Sequence, residues 1–436
     1  MDQNCRTNVG KSMMTHMCTR SAVALGALLL PAGVTTASAT GVPVGDATTS
    51  ASTATVTDIP WTGTWATAME NRSDVFADKT LRQIVHTSIG GSAARIQLSN
   101  RYGTVPVTVS NVHIAKSVSG SMVDNATDRY VTFSGAHGVT IPVGGTVVSD
   151  PAAFDVAADS DVAISFFVPT RTGYTQHGTA QQTNYYADGD QSANASLEGA
   201  ATYGSYSLLS NLDVQAPDAD GALVAFGASI TDGLNSGFGT NHRWSNLLSG
   251  RLGESGRTVG VLNKGISGNN LLSDGSGSKG LTRFRPDVLD QPGVRWVIIS
   301  DDPINDLLRT DAPTAEQLIE GLAELAGQAH DAGVKVFCST LTPFRDTAVG
   351  AGWSERVEQD RQAINTYLRG SAGGCDAVVD QDAALRDPAD PTRMSAALDS
   401  GDHLHPNDSG MQAIADAVPL AALDDAANAT IPAGGR

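Results

Sequence analysis

From Trp61 to about Leu212 the apolar positions recur at every second residue. Val105, Val107 and Val109 alternate with Pro and Thr; Val139, Ile141 and Val143 with Thr and Pro; Val162, Ile164 and Phe166 with Ala and Ser. A period of two places one set of side chains on one face of a strand, so these positions predict the inward face of a β domain. Gly90-Gly91, Asn100 to Gly103 and Gly144-Gly145 stand between the runs as turn signals. No helical spacing of comparable length interrupts them, and an all-β sandwich or jelly roll is expected over 58–212 as an accessory domain.

Asp213 to Gly221 is polar, holds a Pro and three Asp, and reads as a linker over 213–221. Beyond it the period changes. Leu223 to Phe226, Val259 to Leu262, Trp296 to Ile299, Val334 to Phe337 and Ala377 to Val379 are short apolar runs that predict parallel strands. Trp244 to Leu252, Ala315 to Ala329 and Arg356 to Leu368 carry helical spacing, as in Leu318, Leu322 and Leu325, and a last helical stretch runs from Asp408 to Ala417. Strand and helix alternating in this way predict an α/β domain over 222–436, a parallel sheet covered by helices on both faces. Such sheets place their sites at the carboxyl ends of the strands.

The beginning of the chain has a different character. Arg6, Lys11 and Arg20 precede an apolar run from Ser21 to Pro31 and the small residues Ala37-Ser38-Ala39. This is the pattern of a secretory signal peptide over 1–39, too short for the roughly 20 apolar residues of a membrane span. No other segment is apolar enough to span. Thr40 to Thr57 is rich in Thr, Ala and Ser and is expected to be a flexible leader. Residues 1–39 hold three basic side chains and one acidic one, so the net charge of −18 becomes −20 on the remainder. An acidic chain without a basic patch excludes nucleic acid as a partner, and a secreted, extracellular protein without a stable membrane anchor is expected. Cys338 and Cys375 are the cysteines left after the signal; they form a disulfide or remain as two buried thiols, and sequence leaves both open.

Polar clusters fall where the predicted strands end. The first strand runs into Gly227-Ala228-Ser229-Ile230-Thr231-Asp232-Gly233, the second into Gly265-Ile266-Ser267-Gly268-Asn269-Asn270, the third into Asp301-Asp302-Pro303-Ile304-Asn305-Asp306. Asp402-His403-Leu404-His405-Pro406 precedes the last helix. These supply what acyl transfer requires: a nucleophile in Ser229, a base in His405, and Asp402 to orient it and stabilise the imidazolium. The backbone N–H groups of Ser229 and Gly268 and the Asn305 amide are candidate oxyanion donors.

In these four blocks, over about Ala222 to Leu423, the sequence resembles the SGNH hydrolases, the GDSL esterase and lipase family. The resemblance implies a three-layer, flavodoxin-like domain and a serine esterase in which Ser229, Asp402 and His405 are catalytic and Ser229, Gly268 and Asn305 form the oxyanion hole. It implies no cofactor and no metal. The preceding β domain is similar to the amino-terminal module of some secreted bacterial members. Two positions depart from the family pattern: Ala228 replaces the usual Asp before the nucleophile, and Pro303 the usual Gly of the third block. Weaker preorganisation is expected from the first; from the second, loss of a backbone donor without loss of the Asn305 side chain.

Rival signals carry less. Gly227 and Ser229 lack the second Gly of a nucleophile elbow. Gly275 to Gly280 spells G-x-G-x-x-G but follows no strand and opens no clear helix, so it reads as a loop. Asp301, Asp302 and Asp306 read as solvated loop carboxylates because their spacing matches no calcium loop. His86, His113, His137, His177, His242 and His330 read as surface or packed residues. His403 is a rival base, and Trp61, Trp65, Tyr185 and Tyr186 read as packing rather than a sugar platform. The expected substrate is a carboxylic ester, either a polysaccharide O-acetyl group or a short acyl ester. The alternatives are a lipase- or phospholipase-type acylhydrolase and a catalytically degraded protein that binds extracellular polysaccharide. Oligomeric state is not legible.

Overall fold

The alternating segment folds into antiparallel sheets whose shared interior is made by the predicted apolar positions. A computed structural model describes residues 59–72, 75–173, 175–370 and 373–426, within one compact unit, Val56–Arg436. The expected signal peptide (1–39) and leader (40–57) lie outside the described residues. One antiparallel sheet orders Trp61–Ala66, Leu209–Gln215, Ala94–Ser99 and Thr146–Val148. A second is centred on Lys79–Thr87, Ser160–Val168 and Val107–Ser119. Ile96, Leu98, Leu212 and Val214 from the first meet Leu81, Val85, Val107, Ile114, Ile164 and Phe166 from the second in one core, the arrangement of a sandwich. A small third sheet orders Tyr206–Ser207, Thr175–His177 and Glu70–Asn71.

The inward face differs from expectation in two respects. Val105 and Val143 are exposed, at 50 % and 53 %, because both lie in turns outside strands Val107–Ser119 and Gly138–Ile141. The opposite face of the central strands is not solvated: Ala163 and Ser165 are buried. Arg82 lies over that face, donating from Nε to Ser165 Oγ at 2.7 Å and from Nη2 to the Asn194 carbonyl at 2.7 Å. Asp213 to Gln215 complete a strand, with the Asp213 carboxylate accepting from Arg95 Nε at 2.9 Å. The connection to the next strand is therefore 216–220.

All five predicted parallel strands form. Gly221–Gly227, Val259–Gly265, Val294–Ile299, Lys335–Ser339 and Ala377–Val379 lie in the spatial order second, first, third, fourth, fifth, the flavodoxin-like order. The helices are α1 (Ser229–Asp232), α2 (Trp244–Glu254), α3 (Gly280–Phe284), α4 (Asp302–Leu307), α5 (Ala315–Asp331), α6 (Glu355–Arg369), α7 (Gln381–Leu385) and α8 (Asp408–Asp416). They pack as two groups, α2 with α8 and α7, and α3 with α5, α6 and α4. Right-handed crossovers running outward in opposite directions from the first strand place such groups on opposite faces. The N-termini of α5, α6 and α8 are closed by Thr314, Ser354 and Asn407, whose side chains accept from backbone N–H groups of the first turn.

The antiparallel region is joined to the parallel sheet by direct bonds. The Gly63 N–H donates to the Pro292 carbonyl at 3.0 Å, the Val261 N–H to Ser88 Oγ at 2.9 Å, and the buried Lys264 Nζ to the Thr67 carbonyl at 2.9 Å. Burial pushes the Lys264 amine down to about 8 against the attraction of Asp287 and Asp213. Cys338, at the end of the fourth parallel strand, is bonded to Cys375 across 37 positions of sequence. Closing a loop of that length restricts the unfolded chain, so Cys338→Ser with Cys375→Ser is expected to lower the unfolding free energy by about 2–4 kcal/mol. Urea unfolding with and without reductant checks this, reductant having no effect on the double variant.

Candidate active site

The first parallel strand stops at Gly227, and α1 begins two residues later with Ser229. Gly227 leaves no room for a side chain, since a Cβ there would meet the Asp301 carboxylate and the Thr231 hydroxyl. That carboxylate is buried and organises the turn. It accepts from the N–H groups of Ala228 at 3.1 Å, Ile230 at 2.8 Å and Thr231 at 3.2 Å, and from Thr231 Oγ1 at 2.5 Å. Asp301 thus places a charge where Ala228 carries none, at the start of the helix that bears Ser229. The expected weakening from Ala228 is met by a residue from the third block. Pro303 falls in the first turn of α4, where helical N–H groups have no intrahelical acceptor, so its missing donor costs nothing there.

The acidic cluster read as solvated is buried throughout, with Asp301, Asp302 and Asp306 at 3 %, 2 % and 1 % exposure. Asp302 faces Arg283 Nη2 at 3.2 Å. Arg283 in turn donates to the carbonyls of Lys264 and Gly227, both at 2.7 Å, tying together the ends of the first two parallel strands. Asp306 accepts from the N–H of Leu271 at 2.5 Å and of Leu272 at 3.3 Å, holding the segment after the glycine block. Among the described residues no three His, Cys, Asp or Glu side chains group as a metal-ligand set.

His405 reaches α1 from the loop before α8. Its Nε2 lies 2.8 Å from Ser229 Oγ and its Nδ1 2.6 Å from Asp402 Oδ2. Asp402 also accepts from the N–H groups of Leu404 and His405, at 3.0 and 2.9 Å, and from Asn235 Nδ2 at 2.9 Å. Burial would raise the Asp402 pKa, but these N–H groups and the His405 ring hold it below the usual carboxylate range. Ser229 and His405 are 6 % and 5 % exposed. His403, the rival base, is turned onto Asp399 at 2.7 Å and is exposed.

Gly268 has φ +78°, a backbone conformation that favours glycine, and a Cβ there would stand 2.7 Å from Ser276 Oγ. Asn305 Nδ2 donates to the Asn269 carbonyl at 2.8 Å, which uses one of its two hydrogens. Gly268 and Asn305 line one open cleft of about 430 Å³ together with Asn270, Leu308, Arg309 and Val349. The G-x-G-x-x-G segment is a loop beside this cleft, although its last residue, Gly280, does open the short α3.

Sequence reasoning missed Asp301, Asn235, Arg283 and Asp232. Asn235 lies only six residues after Ser229, but nothing in its neighbours points it at Asp402. Asp232 is buried against His177, and several of the histidines read as surface or packed residues meet carboxylates: His86 with Asp161, His113 with Asp128, His242 with Asp408, His330 with Asp376. The aromatic residues are packed as expected, Trp65 against Tyr206 with ring centroids 4.8 Å apart and Tyr186 against Phe76 at 5.3 Å.

Residues 225–413 match the GDSL-like lipase/acylhydrolase family, and the chain carries a hydrolase domain of that family there. No curated protein matches the chain. Similar solved structures include a carbohydrate acetylesterase from Sinorhizobium meliloti, 17 % identical, covering 47 % of this chain and 100 % of that one at a TM-score of 0.37. An acetylxylan esterase from Geobacillus stearothermophilus is 21 % identical, covering 47 % and 94 % at 0.35. A GDSL-like lipase from Bacteroides thetaiotaomicron is 18 % identical, covering 47 % and 88 % at 0.36.

Two outcomes follow from the buried carboxylates. Ala228→Asp would put a second carboxylate beside Asp301 in a buried site, and is expected to cost about 2 kcal/mol or more of stability, read by urea unfolding. Burial pushes the Asp306 carboxyl up to about 7, against the N–H groups of Leu271 and Leu272, which favour its charge. The folded chain therefore holds a proton that the unfolded chain releases above about pH 4, and this stabilising contribution is lost as pH rises through about 7. The stability of the wild type relative to Asp306→Asn is expected to fall between about pH 5 and about pH 8, measured as the difference in urea midpoints.

Proposed function

We propose that the protein is a secreted serine esterase that hydrolyses carboxylic esters through an acyl-enzyme. The observation that carries this is the continuous hydrogen-bonded line from Ser229 through His405 to Asp402. Ser229 Oγ attacks the ester carbonyl while His405 Nε2 takes its proton; Asp402 keeps Nδ1 protonated and stabilises the imidazolium. The carbonyl electrons move onto oxygen, which the N–H groups of Ser229 and Gly268 and the Asn305 amide receive. His405 then protonates the departing alkoxide. Water, deprotonated by the same ring, releases the acid and regenerates Ser229.

The cleft favours a small acyl group on a polar alcohol. Its lining mixes the apolar Leu308, Val349 and Ala351 with the polar Asn270, Asn305, Arg309, Thr310 and Asp311. Arg309 is held by Asp311 at 2.8 Å and donates to Ser273 Oγ at 3.1 Å. An O-acetylated polysaccharide suits such a lining better than a long-chain lipid, whose acyl tail needs extended apolar contact. Secretion is supported by the signal-like residues 1–39 and by the Cys338–Cys375 bond, a pairing suited to an oxidising compartment. Among the described residues no helix is long and apolar enough to cross a membrane.

The full chain is expected to hydrolyse p-nitrophenyl acetate. Ser229→Ala should reduce turnover by at least about 1,000-fold with an unchanged melting temperature; unchanged turnover would sink the assignment. In a chain-length series run beside acetylated xylan, acetate is expected to exceed decanoate by roughly tenfold or more. The reverse order would move the reading to a lipase.

A further inference from the structure

We infer that His177, contributed by the antiparallel region, is a positioning residue for the oxyanion hole, acting through Asp232 on the loop that carries Gly268. The inference rests on the roles proposed above for Ser229 and Gly268.

His177 ends the strand Thr175–His177 and is buried, at 2 % exposure. Its Nδ1 faces the Ala68 carbonyl at 3.0 Å, and its Nε2 faces Asp232 Oδ1 at 3.0 Å and the Thr179 carbonyl at 3.1 Å. A carbonyl oxygen only accepts, so both ring nitrogens are satisfied only when both carry hydrogen, that is, as imidazolium. The surrounding charges suit that form. Glu70 Oε1 lies 3.5 Å from Nδ1 and Asp232 is in contact, while Arg72 is paired with Glu70; Arg243, which donates from Nε to the Asp232 backbone carbonyl and from Nη2 to the Thr179 carbonyl at 3.3 Å, opposes the ring's charge. Tyr206 stacks at 6.4 Å between ring centroids. Burial alone would lower the His177 pKa, but attraction from Asp232 and Glu70 prevails and raises it.

Asp232 is the last residue of α1, the helix that Ser229 begins. Its second oxygen, Oδ2, accepts from the N–H of Ser267 at 3.0 Å and from Ser267 Oγ at 2.6 Å. Ser267 immediately precedes Gly268. One buried carboxylate therefore spans the nucleophile helix and the glycine-block loop, and its remaining lone pairs and charge are met from outside the hydrolase domain by His177. Without His177 the Asp232 carboxylate would keep the two Ser267 donors and the attraction of Arg243, whose Nε and Nη2 are engaged by the Asp232 and Thr179 carbonyls, but would lose the donor and charge in contact with Oδ1, a costly arrangement in a buried site that relaxes by moving the carboxylate. Ser267 and the neighbouring Gly268 N–H would move with it. A shift of about 1 Å at a transition-state donor costs on the order of 100-fold in rate.

The test uses the full chain with His177→Leu, which removes both donors, and His177→Gln, which keeps one. Amide hydrogen exchange at Ile266–Asn270 is expected to speed up by about tenfold or more in the Leu variant, with Leu223–Phe226 unchanged, and by less in the Gln variant, which keeps a donor without the charge. On p-nitrophenyl acetate, kcat should fall on the order of 10- to 100-fold in the Leu variant with KM within about twofold. In an Asp232→Asn background the same change should cost less than about threefold. Unchanged exchange at Ile266–Asn270, or an equal rise throughout the sheet, overturns the inference. If the Leu variant does not fold, Asp232→Asn is compared with the wild type, and loss of protection confined to the loop supports the inference while its absence overturns it. If Ser229→Ala leaves turnover intact, the esterase reading fails, and the exchange comparison still decides what His177 does.

Discussion

The arrangement of the site depends on one buried carboxylate. Asp301 accepts from three backbone N–H groups and one hydroxyl of the turn that carries Ser229. Unpaired N–H groups at the start of a buried helix would otherwise be a steep cost, and the same groups give the anion its stabilisation. Because Asp301 closes the third parallel strand's loop and α1 follows the first strand, this contact locks two neighbouring strand ends together. Arg283 does the same for the first and second ends through the carbonyls of Gly227 and Lys264. Three strand termini are thereby held at fixed separations, and Ser229 and the glycine-block loop follow directly from two of them.

Much of this was legible in sequence. The parallel strands and helices α2, α5, α6 and α8 followed from hydrophobic period, since a half-buried helix or a buried strand must repeat its apolar positions. The four polar blocks also pointed to one site, and Ser229, His405 and Asp402 do stand in line. Asp301 was not legible because its burial is decided by tertiary neighbours: in sequence it is one of three aspartates in a loop, the usual signature of solvent. The pairing of His177 with Asp232 joins residues 55 positions apart and leaves no local trace. Val105 and Val143 show the opposite failure, where alternation continued past the strand into the turn.

The antiparallel region is more than a neighbour of the hydrolase domain. Lys264, within the second parallel strand, has its ammonium satisfied by Thr67 and Asn211, and Asp232, within the helix that Ser229 begins, has its carboxylate met by His177. Both are buried charged groups whose partners come from the other region. Removing a partner from either side while the charged group stays buried would leave that group without its hydrogen-bond partner, which is costly.

The strand Val259–Gly265 lies at the edge of the parallel sheet, and its outer side is occupied. Ser88 Oγ takes the Val261 N–H, and Gly260 lies so near the Gly63 carbonyl that no side chain fits between them. An open strand edge is a template for pairing with other chains. The residues that match the hydrolase family, 225–413, would if excised carry that edge bare into solution. For anyone recombining such modules, the boundary drawn by family likeness and the boundary of a well-behaved polypeptide are different lines, and colloidal behaviour follows the second.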